Sequence, residues 1–325
     1  MSRKTTCSIS HSALRRPLLA LSVVVAATGA GLPARAGEPL FGYIYTTDLL
    51  PAGKVEAEQW MTGRLGKAGG DYSVWEGRTE VEYGLTDNLQ IAAYANYAWT
   101  HVRQDGVDGA TAVPEVFAEY TPASDTAAFN GTKYEGTSVE LIYRLLSPYT
   151  DPVGLAFYVE PLVGPKTREL ESRIILQKNF MDDQLVVAAN ITVGQELRRL
   201  NGDPEADPLS NEAVEHWDHE TDVNFGLAAS YRIAANWYAG VEFQNEREFS
   251  NFHFWTANSA TNVAYYAGPT IHYGGERYFV NLTYLEQLPF AQDLADPSPG
   301  FVKGGRTYAD DFERRRLRLK VGMSF

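Results

Sequence analysis

The sequence predicts an all-β protein, a transmembrane antiparallel up-and-down β-barrel of about 12 strands. Three observations carry this prediction. Side-chain character alternates with a period of two along most of the chain. Short turns alternate with longer connections. The last stretch puts Leu317, Leu319, Val321, Met323 and Phe325 on one face and Arg316, Arg318, Lys320 and Ser324 on the other.

Residues 1–36 read as a signal peptide. Arg3, Lys4, Arg15 and Arg16 give a basic start, Leu18 to Leu32 an apolar or small-residue run, and Ala34-Arg35-Ala36 a cleavage signal. The mature chain is expected to begin at Gly37. The single cysteine, Cys7, falls inside the removed segment. A mature chain without cysteine has no disulfide, no thiol nucleophile and no thiolate ligand. Residues 1–36 carry five positive charges and no negative one, so the formal charge of −13 becomes −18 on their removal. That balance speaks against nucleic acid as a partner, because nucleic-acid binding relies on basic patches. After the signal no apolar run reaches about 18 residues, the length a membrane helix needs.

Residues 37–53 precede the first clear strand, and two placements are open for them, a periplasmic segment or a plug in the lumen. Thr47-Asp48 reads as a helix or turn start, ended by Pro51 and Gly53. The barrel is expected over residues 54–325. Its first strand is Lys54–Leu65. Trp75, Thr79, Val81, Tyr83 and Leu85 then alternate with Glu76, Arg78, Glu80 and Glu82. Leu89 to Trp99, Val139 to Leu145, Leu155–Val163, Arg168–Gln177 and Leu185 to Val193 follow. Val223 to Tyr231, Trp237 to Phe249, Val263 to Ile271, Tyr278 to Tyr284 and Leu317 to Phe325 complete the set. Segments of about 9–14 residues suit tilted membrane-spanning strands and are long for a soluble sheet.

Thr86-Asp87-Asn88, Ser147–Pro152, Met181–Gln184, Ala234–Asn236 and Gly274–Glu276 have turn chemistry. Between them lie mostly longer connections, His101–Lys133, Leu200–Trp217, Ser250–Thr261 and Pro289–Asp311. Short turns at one end and long loops at the other is the outer-membrane arrangement, with the short turns periplasmic. Trp60, Trp75, Trp99, Trp217, Trp237 and Trp255 sit near strand ends, as aromatic girdles require.

If the apolar faces meet lipid, the opposite faces line the lumen. The first two strands then contribute Glu56, Glu58, Glu76, Arg78, Glu80 and Glu82, and the last contributes Arg314, Arg316, Arg318 and Lys320. Closure brings the last strand beside the first, since lipid satisfies no open sheet edge. A Glu–Arg ladder centred on Glu56 and Glu58 against Arg316 and Arg318 is the expected seam. Such a ladder either filters solutes or cross-links a wet interior, and the structural role is the simpler one.

Other motifs carry less. In His216-Trp217-Asp218-His219-Glu220, histidines three apart face opposite sides of a strand, and only a loop converges them. No metal site is expected there and no cofactor motif is present. His101, His253 and His272 are the candidates for a membrane-embedded hydrolase, yet no nucleophile stands beside them in a recognisable motif.

The terminal strand resembles the C-terminal assembly signal of outer-membrane barrel proteins, which ends in an aromatic residue, usually Phe. Its implied partners are the barrel-assembly machinery and outer-membrane lipid with lipopolysaccharide. Leu40-Phe41-Gly42-Tyr43, Leu50-Pro51-Ala52-Gly53-Lys54 and Glu80 to Gln90 resemble a family of uncharacterised proteobacterial outer-membrane barrels. Tyr83-Gly84-Leu85-Thr86-Asp87-Asn88-Leu89-Gln90 is also similar to turns in barrels grouped under phenol-degradation pathways. The resemblance implies the barrel fold and a role with small hydrophobic or aromatic compounds, and it carries over no catalytic residues. The expected function is a passive channel or solute-binding barrel. A sealed structural or surface-interaction barrel and an outer-membrane hydrolase are the alternatives.

Overall fold

The computed structural model describes residues 39–67, 70–103, 115–117, 127–202, 207–210, 213–252, 260–291, 301–303, 305–309 and 312–325. The expected signal peptide, His253 and Trp255 lie outside the described residues.

Twelve strands close into one antiparallel barrel. They are β1 (Val55–Leu65), β2 (Asp71–Thr86), β3 (Leu89–Arg103), β4 (Ala128–Leu146), β5 (Gly154–Val163), β6 (Thr167–Phe180), β7 (Leu185–Leu200), β8 (His216–Ala234), β9 (Trp237–Ser250), β10 (Ala260–Gly274), β11 (Tyr278–Gln287) and, after a small separate hairpin of β12 (Phe301–Lys303) and β13 (Arg306–Tyr308), β14 (Arg315–Ser324). Each strand pairs with the next, and β14 closes the cylinder by pairing with β11 on one side and β1 on the other. The Phe325 N–H donates to Val55 O at 2.9 Å, so both ends of the barrel chain meet at the short-turn rim.

The alternation works as the sequence implies. Val81, Tyr83 and Leu85, Leu141, Tyr143 and Leu145, Phe225, Leu227 and Tyr231 stand exposed on the outer face. Their strand neighbours Glu80, Glu82, Glu140, Ala228 and Ser230 are buried in the lumen. A solvent-exposed apolar belt around a polar interior inverts the soluble pattern and fits immersion in lipid. Trp75 and Trp99 are register partners on the outer face near the long-loop end, with rings nearly parallel at 6.4 Å. Trp237 contacts Tyr273 at 5.0 Å at the opposite rim. Trp60 departs from the expected girdle. It faces the lumen from the middle of β1 and is 4% exposed.

Three connections differ from their expected limits. β3 runs to Arg103 and β4 starts at Ala128, which shortens the His101–Lys133 connection from both sides. β8 begins at His216, so the His216–Glu220 segment is strand rather than loop. The Pro289–Asp311 connection contains the β12–β13 hairpin. Pro161 and Pro269 sit inside strands with their rings outward. The ladder lapses opposite Pro161 between β4 and β5, and opposite Pro269 between β10 and β11, because proline has no N–H to give.

Candidate functional site: a plugged lumen beneath an acidic vestibule

Residues 39–50 lie inside the barrel in its short-turn half, and Pro51, Ala52 and Gly53 are exposed at the rim. They form no helix or strand, so their backbone groups need partners from elsewhere. Lumen-facing side chains of distant strands supply them. Glu242 of β9 accepts from the N–H groups of Gly42 at 2.7 Å, Tyr43 at 2.8 Å and Ile44 at 3.3 Å. Asn190 of β7 grips Tyr45 twice, accepting its N–H at 2.7 Å and donating to its carbonyl at 3.0 Å. Gln177 of β6 accepts from Thr47 N–H at 2.6 Å, and Gln90 of β3 from Leu50 N–H at 2.8 Å. Asn281 of β11 donates to Leu40 O, and Arg318 of β14 to Gly42 O.

The plug's side chains fill what remains. Leu40, Phe41 and Ile44 pack with Val186, Ala188, Ala228 and Tyr238. Tyr43 joins Ala264, Tyr266, Leu285, Ala309 and Phe312, while Leu49 joins Ile142, Ala156, Tyr158 and Ile175. Two glycines of the wall are required by this fit. A Cβ on Gly226 would stand 2.1 Å from Ile44 Cδ1, and one on Gly84 would stand 2.3 Å from Pro51 O. At the rim, Asp48 accepts from Tyr149 Oη at 2.8 Å and Gln177 Nε2 at 3.0 Å. Burial nevertheless pushes its carboxyl above the usual range.

Above the plug, toward the long loops, a cavity of about 360 Å³ remains. Ten carboxylates line it against five cationic side chains, Arg64, Lys67, Arg78, Arg198 and Arg318. Several cations are committed to fixed pairs, Arg64 with Glu76 at 2.7 Å, Arg78 with Glu160, and Arg198 with Glu196 at 2.5 Å. Phe117, on a single 3-10 turn of the β3–β4 connection, folds into the mouth against Phe129, with ring centres 5.5 Å apart. Glu313, in the loop before β14, lies between Arg316 and Arg64. Burial works against its charge, but the two guanidinium groups outweigh it and hold the carboxyl at about 2.

The five glutamates and Arg78 expected to face inward from β1 and β2, and Arg316, Arg318 and Lys320 from β14, do so, but the seam ladder is not the expected one. The closing register pairs Glu56 with Ser324, Glu58 with Gly322, Trp60 with Lys320, Thr62 with Arg318 and Arg64 with Arg316. Antiparallel strands run Arg316 and Arg318 to the far end from Glu56 and Glu58. Glu56 accepts instead from the Ser324 hydroxyl, and Glu58 from Trp60 Nε1 at 2.5 Å. Arg316 reaches across the lumen to Glu246 and stacks on Tyr266 at 3.8 Å. Arg318 donates to Thr62 Oγ1 at 2.8 Å and stacks on Tyr43 at 3.8 Å. Lys320 rests on the Trp60 ring at 3.5 Å. Arg314 precedes the strand and stacks on Tyr308 at 3.9 Å. Glu76 is paired with Arg64, Arg78 lies 3.9 Å from the Tyr94 ring centre, and Glu80 and Glu82 are buried beside Glu140. On the outer face of β14, Leu317 and Leu319 are half-buried and Val321, Met323 and Phe325 exposed.

The histidines do not assemble a site among the described residues. His216 Nδ1 lies 2.9 Å from Val214 O, and His219 stacks on Phe252 from the other face of β8. His101 Nδ1 lies 2.6 Å from Asn130 Oδ1 on the exposed surface. His272 is buried between Tyr238 and Phe279. The residues that sequence reasoning passed over are the plug's receptors, Gln90, Gln177, Asn190 and Asn281. The available signal was their amides at inward positions of apolar-patterned strands.

Several solved structures share the architecture. The COG4313 outer membrane channel from Pseudomonas putida F1 superposes with a TM-score of 0.52 at 9% identity, over 85% of this chain and 97% of that one. The translocator domain of autotransporter NalP from Neisseria meningitidis gives 0.49 at 11% identity, over 86% and 91%. The NanC porin gives 0.46 at 10% identity, over 82% and 98%. The first of these supports the outer-membrane barrel fold, and at such identity the likeness concerns the fold alone. No curated protein matches the sequence. The model of the family of unknown function DUF6662 matches residues 33–325, and the chain belongs to that family.

Proposed function

We propose that this chain is an outer-membrane channel for small polar, preferentially cationic solutes, closed in the described state by its own segment 39–50. The observation that carries the reading is the seat of that segment. It crosses the lumen on hydrogen bonds from side chains of at least six strands, directly beneath a cavity with twice as many carboxylates as cations. Such a seat is reversible, because every one of these bonds can be exchanged for water. The lining favours cations over the small hydrophobic or aromatic compounds that the phenol-pathway resemblance implies. The COG4313 protein of the same fold is described as a channel, which agrees with this reading. No catalytic step belongs to it. Outer-membrane lipid with lipopolysaccharide would surround the apolar belt, and the assembly machinery would read the strand ending at Phe325.

Planar-bilayer recording of the refolded protein tests the proposal. The intact chain should show rare, brief openings, and a variant lacking residues 39–50 should conduct steadily. A deletion variant that folds, as judged by heat-modifiable gel migration, and still conducts no better than the intact chain would establish a sealed structural barrel.

A further inference from the structure

The register stacks like charges where a barrel wall ordinarily avoids them. Glu56 of β1 is opposite Glu82 of β2, Glu82 is opposite Ala92 of β3, and Ala92 is opposite Glu140 of β4. The small Ala92 lets the two flanking carboxylates approach over it. One row further up, Glu58 is opposite Glu80. Like charges directly opposite on neighbouring strands destabilise the pairing. All five glutamates are buried, at 0–6% exposed.

The five carboxylates outnumber the two cations near them. Arg78 is paired with Glu160, and the Lys320 ammonium sits on the Trp60 ring. The neighbouring donors instead orient the carboxylates. Trp60 Nε1 holds Glu58 Oε2, Gln90 Nε2 holds Glu82 Oε2 at 2.8 Å, and Tyr94 Oη holds Glu140 Oε2 at 2.6 Å. In each of Glu58 and Glu140 the second oxygen is buried with no hydrogen-bond partner, and in Glu80 both oxygens are. Holding one carboxylate oxygen with an outer donor and leaving the other bare is how proteins orient metal ligands.

Two carboxylate triads result, Glu56–Glu58–Glu82 and Glu80–Glu82–Glu140, sharing Glu82, and within each the oxygens lie within 4.8 Å of one another. A cavity of about 30 Å³ adjoins Glu58 and Glu82, bordered also by Gln90, the plug's Asp48 and the single cation Lys320. That is room for an ion or a water molecule. We infer that this cluster binds a hard divalent cation, calcium foremost, in the barrel wall beside the plug. All-oxygen donors at adaptable spacing suit calcium better than magnesium, which demands a near-ideal octahedron. A bound cation would tie β1, β2 and β4 together. Through Gln90, which also holds Leu50, and Glu140, which accepts from Tyr45 Oη at 3.3 Å, it would reach the plug. The inference does not depend on whether the barrel conducts.

Terbium(III) luminescence on the refolded full-length mature protein, stripped with EDTA, tests the inference. Trp60 lies within the site and should sensitise bound terbium. Wild type should show saturable emission that calcium displaces, and calcium should raise its thermal midpoint. Glu82→Gln and Glu80→Gln should each lose both effects, whereas Glu248→Gln, in the separate vestibule cluster, should keep them. Should Glu82→Gln fail to fold, Glu80→Gln decides. Emission unchanged in folded Glu80→Gln, or a wild-type midpoint indifferent to calcium, would overturn the site and leave a cluster that holds protons.

Discussion

Glu242 accepts three consecutive backbone N–H groups of the plug and a hydroxyl from Thr283 at 2.8 Å. Bonds to a charged acceptor contribute more than neutral ones, about 1.5–3 kcal/mol against about 1 kcal/mol. Glu242→Gln should therefore raise the opening frequency in bilayer recordings by about 10–100-fold, since 1.4 kcal/mol is tenfold. Gln177→Ala, which removes a neutral acceptor, should raise it by about fivefold. Equal effects of the two substitutions would show that charge at Glu242 does not hold the plug. Glu313 makes a prediction of opposite pH sense to Asp48. Its folded pKa of about 2 is depressed, so its stabilisation is complete above the ordinary carboxylate range and is lost as pH falls toward 2. Breaking such a buried pair costs about 3–5 kcal/mol. Glu313→Gln should lower the unfolding midpoint at pH 7, and its curve should converge on that of wild type in strong acid. The Asp48 carboxyl is raised by burial. Its contribution is full below the usual carboxylate pKa and declines as pH rises through the folded value, so mild acid should favour the closed plug.

At the scale of the element, periodicity told which face each strand presents, and the barrel follows from that. It did not tell height. In an antiparallel pair the partner of a residue is set by the sum of their numbers, and alternation leaves that sum free in steps of two. Glu56 is opposite Ser324, which leaves Arg316 eight residues up the strand, about 26 Å away at strand rise. That distance dissolves the expected seam ladder, while the registers from β1 to β4 assemble the glutamate rows. The plug was illegible for a related reason. Its segment has no period of its own, and its anchors are up to 276 positions away in sequence. Turns were legible where glycine or Asn-Asp chemistry marked them, as at Asp87-Asn88. The β6–β7 turn is less ordinary, because Met181, Asp182 and Asp183 all have positive φ, at 56°, 52° and 61°. Left-handed backbone costs a residue with a Cβ about 1–2 kcal/mol, and glycine escapes that cost. Met181 is 67% exposed, so little packing is lost by replacing it. Met181→Gly should raise stability by about 1 kcal/mol in urea unfolding, and a loss of stability would show that the turn is not strained at that residue.

For the whole molecule, net charge and lumen charge must be kept apart. The formal charge of −13 describes the chain, but permeation depends on the charges lining the wet lumen, here the cavity above the plug. There the balance is ten carboxylates to five cations, and several of those cations are tied into fixed pairs. Walls of low dielectric strengthen the field of the excess, and mobile salt weakens it. The Debye length is about 10 Å at 0.1 M and about 3 Å at 1 M, so the field of the wall reaches much farther into the lumen at the lower salt. A variant lacking residues 39–50 therefore separates pore charge from plug behaviour. Its reversal potential in a potassium chloride gradient should indicate cation preference near 0.1 M and approach neutrality near 1 M. Neutralising Glu135 and Glu169 together, two of the lining carboxylates, should reduce the preference at low salt while leaving conductance at high salt nearly unchanged. Anion preference in the unplugged barrel, or a preference insensitive to salt, would mean that the cavity above the plug does not set what passes.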